Sequence, residues 1–228
     1  MAQEHFDDVA DVYDSVFAPH IFDHYASRRL SLFESLCPRH GRILDYGCGT
    51  GVLGQRLIER GFEVFGTEHS ANMFNKALAR GVKGALLHSG RIPFDNDQFD
   101  LVYAVAVFHH LETTENVRRA IHEMVRVTKP GGAIVIWDHN PLNPFWPALM
   151  KRWPQDHGDE RLVPLDEILD GLKWEPTENV RYWRSGWTPE FVPAVAMPLM
   201  NAVEWLLEHV PGVRRCSAHN VVLARRRP

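Results

Sequence analysis

Apolar positions fall into short runs separated by longer stretches with helical spacing. Residues 42–46, 63–66 and 100–106 are three such runs, and 133–137 is a fourth, following Lys129-Pro130-Gly131-Gly132. Runs of this length, rich in β-branched and aromatic types, read as strands of a parallel sheet joined by crossover helices. The competing reading, a set of short buried helices, fails because Gly or Pro punctuates nearly every boundary. Helices are expected at 52–60, 71–80 and 114–127. The chain before Gly41 reads as a separate helical arm, residues 1–40, with Tyr13 and Asp14 near its middle.

Beyond Trp137 the texture changes, because all seven tryptophans lie between Trp137 and Trp205. Residues 140–158 hold four prolines with Trp146 and Trp153, which predicts an ordered loop. A helix over 165–172 and strands near 180–183 and 218–224 should follow. Between those two strands, residues 187–211 exceed what a hairpin needs, and Pro193 and Pro198 interrupt their apolar content. The expected domain is therefore 41–228, with cap insertions at about 140–160 and 187–211. The second insertion is expected to form a helical cap over the mouth of a ligand site.

Composition narrows the class. With 228 residues, 45% of them hydrophobic and 24% charged, the chain suits one α/β domain with an elaboration. A net charge of -4 gives no basic excess for a polyanion, and the cationic run 225–227 reads as solvated. No nucleic-acid partner is expected. Cys37, Cys48 and Cys216 form no C-x-x-C pair, which argues against a disulfide framework or zinc site and fits a reducing cytoplasm. The start, MAQEHFDD, is acidic where a signal peptide is basic. No apolar run reaches the ~20 residues of a membrane span. No metal ligand set emerges.

The stretch ILDYGCGTGVLG, residues 43–54, carries two glycine fingerprints. Gly49, Gly51 and Gly54 spell G-x-G-x-x-G, a dinucleotide pattern, with Glu68 at the expected distance. From Asp45 the same letters spell D-x-G-x-G-x-G, which points to S-adenosylmethionine. A pyrophosphate would be repelled by an acid at the end of the first strand, where Asp45 stands. S-adenosylmethionine lacks phosphate and carries a cationic amino group and a sulfonium, which an aspartate favours. Glu68 could accept ribose hydroxyls in either cofactor.

The segments HSGRIPFDNDQFDLVYAVAVFHHL and VRVTKPGGAIVI, with the glycine loop, resemble class I S-adenosylmethionine-dependent methyltransferases. The resemblance is strong over 41–137 and weaker over the arm bearing Tyr13-Asp14. DHNPLNP, residues 138–144, is similar to a bacterial subgroup with an H-N-P-x-N-P run and a C-terminal cap. The resemblance implies a doubly wound, mostly parallel Rossmann-like sheet with an antiparallel last strand. It implies Asp45, Gly47, Gly49 and Gly51 around the methionine moiety, with Tyr13 from the arm. Glu68 would then bind the ribose, His69 and Ser89 flank the adenine, and Ala104 and Val105 approach the sulfonium. His69 replaces a usual aliphatic residue, and His88 replaces an aspartate that reads the adenine amino group in many members.

Methyl transfer is an in-line displacement accelerated mainly by positioning. A hydroxyl acceptor must also lose a proton, for which histidine is suited. His109 and His110 follow the run 100–106, and His139 follows the run ending at Trp137, so all three are expected to face the cleft. His110 has a competing role in bracing its loop. Trp146 and Trp187 are the candidate contacts to a lipophilic or aromatic acceptor, with packing in the core or in a homodimer as the alternative. The expected activity is methylation of a small molecule, preferably on oxygen. RNA or protein methylation and non-catalytic cofactor binding are the rivals.

Overall fold

A computed structural model describes residues 2–153 and 160–228. Its centre is a seven-stranded sheet in the order β3-β2-β1-β4-β5-β7-β6. The strands are β1 (Arg42–Tyr46), β2 (Glu63–Glu68), β3 (Lys83–Leu86), β4 (Phe99–Val105), β5 (Thr128–His139), β6 (Thr177–Ser185) and β7 (His219–Arg226). The pairs among β1 to β5 are parallel, whereas β7 runs antiparallel to both β5 and β6. The doubly wound sheet and its antiparallel last strand are thus as the sequence reading expects.

Local chemistry sets the helix boundaries. Between β1 and β3 lie α3 (Val52–Ile58) and α4 (Ala71–Ala79), and α5 (Thr114–Val127) connects β4 to β5. The Ser70 hydroxyl accepts from Met73 N–H and the Thr113 hydroxyl from Asn116 N–H, so α4 and α5 each begin on an N-cap. In α5 the residues Val117, Ala120, Ile121 and Met124 recur at helical spacing, and all four are buried in a core with Val102, Ile134 and Ile136. On the other face, Leu30 and Phe33 pack against Ile43, Tyr103, Val135 and Trp137. These two residues come from α2 (Pro19–Leu36), the main part of the N-terminal arm. Before it come α1 (Ala2–Val9) and a 3-10 turn at Tyr13–Ser15.

Two elements differ from expectation. β3 carries no distinct apolar run, because it is an edge strand with Lys83 and Gly84 exposed and Ala85 and Leu86 half-buried. The segment expected to cap the ligand mouth forms α8 (Met197–His209), whose only buried residue is Glu204. The polar side of α8 faces inward: Glu204 accepts from Trp187 N–H and Thr188 N–H and pairs with His24 and Arg28 of α2. Burial alone would raise the Glu204 pKa, but the His24 hydrogen bond and the Arg28 charge outweigh it and hold the group at about 2. Leu199 and Trp205 point outward. The helix is therefore docked on α2 by charge. The first insertion contains α6 (Trp146–Leu149), and α7 (Leu165–Lys173) follows. Residues 154–159 of that insertion lie outside the described residues.

Candidate active site

The carboxyl ends of β1, β2 and β4 open into a cavity of about 400 Å³, within the usual range for a small-molecule site. Tyr13, Gly47, Gly49, Glu68, His69, Ser89, Val105 and His110 line it, together with Phe6, Tyr46, Met73, Ala106 and Val107. Gly47 has φ +77°, and a Cβ there would lie 2.5 Å from Val107 Cγ2, so only glycine fits between the β1 and β4 loops. Gly51 does not line the cavity. It has φ +79° at the N-terminus of α3, and a Cβ would lie 2.7 Å from Ala77 Cα, so its small size serves helix packing.

Glu68 anchors the loops around the cavity. Its carboxylate accepts from Gly49 N–H at 2.9 Å, His69 N–H at 2.7 Å and Ser70 N–H at 3.1 Å. The arm closes over the same loops. Asp14 accepts from Thr50 Oγ1 at 2.6 Å and from Arg80 at 2.6 Å, while Asp7 accepts from Ser70 Oγ and Asn72 N–H. Phe6 meets His110 edge-on, with ring centroids 5.0 Å apart. The sequence reading missed Phe6 and Met73, which line the cavity, and Asp7, which ties the arm to the start of α4.

Asp45 lies buried at the end of β1 beneath the glycine loop, and Tyr103 O–H donates to it at 2.8 Å. Burial is the main cause that lifts its pKa to about 7, with the charge of Glu68 adding to it against the Tyr103 hydrogen bond. A carboxylate so destabilised in its charged form favours an incoming cation. That matches the chemistry of a ligand bearing an ammonium and a sulfonium. Ala104 is buried in the core and does not line the cavity.

The three histidines separate. His110 lines the cavity, but His109 and His139 are buried away from it. Their position follows from Asp138, whose Oδ2 accepts from Val107 N–H and Phe108 N–H and whose Oδ1 accepts from His139 N–H. His109 Nδ1 approaches the same Oδ1 at 2.8 Å, giving the ring a charged partner. Burial raises the Asp138 pKa, yet the His109 charge and hydrogen bond outweigh it and keep the carboxyl well below its ordinary range. The β4 loop therefore curls under the end of β5 and carries His109 inward. His139 stacks on His109 at 4.1 Å and on Trp146 at 3.7 Å. Burial holds His139 well below the usual histidine pKa, so its ring is neutral.

The run after His139 works as a clasp. Asn140 Nδ2 donates to Arg215 O and Ser217 O, Asn143 Nδ2 to Cys216 O, and Trp146 Nε1 to Ala218 O. The chain leaving β5 is thereby tied to the chain entering β7. Trp187 sits half-buried on the turn leaving β6. Neither Trp146 nor Trp187 lines the cavity, and nor does any residue of 187–211. Among the described residues, His109, Asp138 and His139 are close enough to share a metal ion. Asp138 is already saturated by its four donors, so this cluster reads as a hydrogen-bonded brace.

A parallel sheet that holds a glycine loop between a buried acid at the first strand and a second acid at the next defines a cofactor-binding α/β enzyme. Comparison with known proteins narrows the class. Residues 44–136 match the Methyltransferase domain family. An uncharacterised methyltransferase of Mycobacterium tuberculosis is 36% identical over 180 residues, covering 76% of this chain and 68% of that protein. The probable tRNA methyltransferase 9B of Bos taurus is 31% identical over 131 residues, or 57% of this chain. The chain spans only 28% of that bovine protein's length. In fold, the chain resembles a Thermotoga maritima S-adenosylmethionine-dependent methyltransferase, possibly a histamine N-methyltransferase. That likeness has a TM-score of 0.72 over 100% of both chains at 17% identity. The chain belongs to the S-adenosylmethionine-dependent methyltransferases.

Proposed function

We propose that the protein methylates a hydroxyl of a small aromatic molecule, with Asp45, Gly47, Gly49 and Tyr13 around the methionine end of the cofactor. Glu68 would meet the ribose, His69 and Ser89 the adenine, and Val105 the sulfonium region. The clasp formed by Asn140 and Asn143 supports placement in a bacterial subgroup with an H-N-P-x-N-P run. The acceptor would lie beside His139, at the end of β5 next to β4.

The observation that carries this reading is the state of His139. Its Nδ1 is buried with no hydrogen-bond partner, and its ring is held neutral. In the tautomer with its hydrogen on Nε2, the Nδ1 lone pair would be free to accept a proton. Because the same burial makes it a weak base, it suits a phenolic hydroxyl better than an aliphatic one. When bound, S-adenosylmethionine supplies a methyl group activated by its sulfonium. The chain's own residues hold the acceptor in line, exclude water and take its proton at His139 Nδ1. Ionised Asp138, adjacent in the same cluster, would stabilise the charge that results. Positioning alone can be worth effective molarities of roughly 10⁵ to 10⁸ M.

The test is transfer of a labelled methyl group to a panel of phenols. His139→Gln should lower the transfer rate by ~10² to 10⁴ while leaving S-adenosylhomocysteine affinity intact. A loss of only a few-fold would remove His139 from proton transfer. Similarity to the bovine probable tRNA methyltransferase favours RNA as a second acceptor class, which the net charge of -4 opposes. Labelling of RNA but not of phenols would reverse that preference.

A further inference from the structure

The side of α8 turned away from α2 is apolar. Leu199, Val203, Leu206 and Val210 recur at i, i+4, i+7 and i+11, which sets them in one stripe along the helix and its C-cap. All four are exposed. By the same helical spacing the stripe lies opposite Glu204 and Glu208, and both acids are turned to α2. Glu204 pairs with His24 and Arg28, and Glu208 accepts from the same Arg28. The stripe therefore points straight out from the protein. Phe191 and Val195, on the chain leading into α8, are 82% and 88% exposed, and Val213 follows on the chain leaving it. No other stretch of the described residues exposes so many large apolar side chains.

Free charge around the stripe is of one sign. Arg214 and Arg215 directly follow Val213, both are exposed, and neither side chain forms an ion pair among the described residues. The clasp brings the chain leaving β5 against this turn, because Asn140 and Asn143 donate to Arg215 O and Cys216 O. That segment adds exposed Leu142 and Phe145. Lys151 and Arg152, just past α6, are likewise exposed and without an ion pair among the described residues. The Trp153 indole N–H donates to Glu190 at 2.8 Å, which draws this end of the insertion toward Phe191. Within 142–153 and 190–215 the only acids are Glu190, Glu204 and Glu208, and each has a partner. The four cations there have none. Trp205 stands beside the stripe with its ring on His209 at 4.4 Å, a position suited to an aromatic anchor between apolar and wet surroundings.

We propose that this face docks on an anionic lipid bilayer, with the α8 stripe and Phe191 against the acyl chains and Lys151, Arg152, Arg214 and Arg215 on the headgroup phosphates. No helix of the described residues is long and apolar enough to cross a membrane, so the contact is peripheral, with α8 lying in the plane of the interface. A second copy of the chain fits this face less well. Across a two-fold axis the patch would meet itself, bringing its cations onto a surface with no free acid. The positions beside the stripe, Met200, Ala202, Leu207 and His209, also hold no acid to bridge a partner helix. An anionic membrane matches the apolar stripe and the unpaired cations together. The inference concerns where the enzyme works and holds for any methyl acceptor.

Flotation of the intact chain with vesicles tests this, using phosphatidylcholine alone and phosphatidylcholine mixed with phosphatidylglycerol. The chain should bind the mixed vesicles at least about tenfold more tightly, and rising salt should weaken that binding. Arg214→Gln combined with Arg215→Gln should cost about tenfold on the mixed vesicles. Leu199→Ser combined with Leu206→Ser should remove binding to both compositions. These substitutions change exposed side chains, so melting temperature and S-adenosylhomocysteine affinity should stay at wild-type values. If the leucine variant does not fold, the arginine variant and the salt series on the wild-type chain still decide. A wild-type chain that stays off both kinds of vesicle, or binds both equally, overturns the proposal. So does a wild-type chain that stays off vesicles and sediments as a dimer which the leucine variant dissociates, since the stripe would then belong to a second copy.

Discussion

The ends of β1 and β5 each bury an aspartate, and the two acids have opposite fates. Asp138 collects three backbone N–H groups and the His109 ring, and stays ionised. Asp45 receives one neutral donor, Tyr103 O–H, and has its pKa lifted to about 7. Both sit in a similarly dry environment, so burial does not distinguish them. The number and charge of their donors does. An acid whose lone pairs are all engaged is part of the architecture, whereas one left short of donors keeps lone pairs free.

Three experiments press on that contrast. The largest effect should come from Asp138→Ala, which strips partners from three backbone N–H groups and from His109. A loss of ~3 to 5 kcal/mol in unfolding free energy is expected for breaking such a buried pair. A chemical denaturation curve unchanged from wild type would mean that the brace is not structural.

Asp45→Asn should act in the opposite direction. Because folding raises the Asp45 pKa from 3.8 to about 7, its contribution to stability is most favourable below the unfolded value and is lost as pH climbs toward 7. The amide variant carries no such penalty. It should be more stable than wild type at pH 8, by ~1 to 3 kcal/mol, and nearly equal at pH 4. The same variant should bind S-adenosylmethionine more weakly, so a variant that is neither stabilised nor impaired would end the comparison.

The smallest effect is on ligand affinity itself. If a cation prefers ionised Asp45, S-adenosylmethionine affinity in the wild type should rise several-fold between pH 5.5 and 7.5, with protons released on binding. Calorimetry in two buffers of different ionisation enthalpy measures that release. In Asp45→Asn the release should vanish, and persistence would assign it to another group.

Much of the first region was legible in the sequence because its signals are local. A short apolar strand, three alternate glycines and an acid at each strand end specify the loop almost without tertiary help. Even there, two roles resolve only in three dimensions. Gly51 and Gly54 belong to the helix-packing surface, where added Cβ atoms would meet Ala77 and Val82. The second region was less legible. His109 was expected to face the cleft and instead turns inward, since nothing near it in sequence announces that Asp138 captures its loop. The pairing of His139 with His219 depends on register between strands about 80 residues apart. The cap misled for a related reason. An apolar segment reads as one that covers something, but α8 turns its acids toward His24 and Arg28 and leaves Leu199 71% exposed. β3 went unseen because an edge strand needs little apolar content.

The place of β7 has a consequence for how the molecule comes into being. It lies between β5 and β6 in space but follows both along the chain, so it must slot between strands synthesised before it. Every contact in the glycine-loop half can form from a nascent chain of about 140 residues, through nearby crossovers that close early. The pairing of His219 with His139 and Ser185, and the Asn140 and Asn143 clasp, cannot exist until the chain around β7 is in place. A chain paused before residue 219 would therefore hold a nearly finished cofactor pocket beside an unfinished sheet edge. Hydrogen exchange during refolding should show β1, β2 and β4 protected first and β6 last, giving the two halves separate birth times.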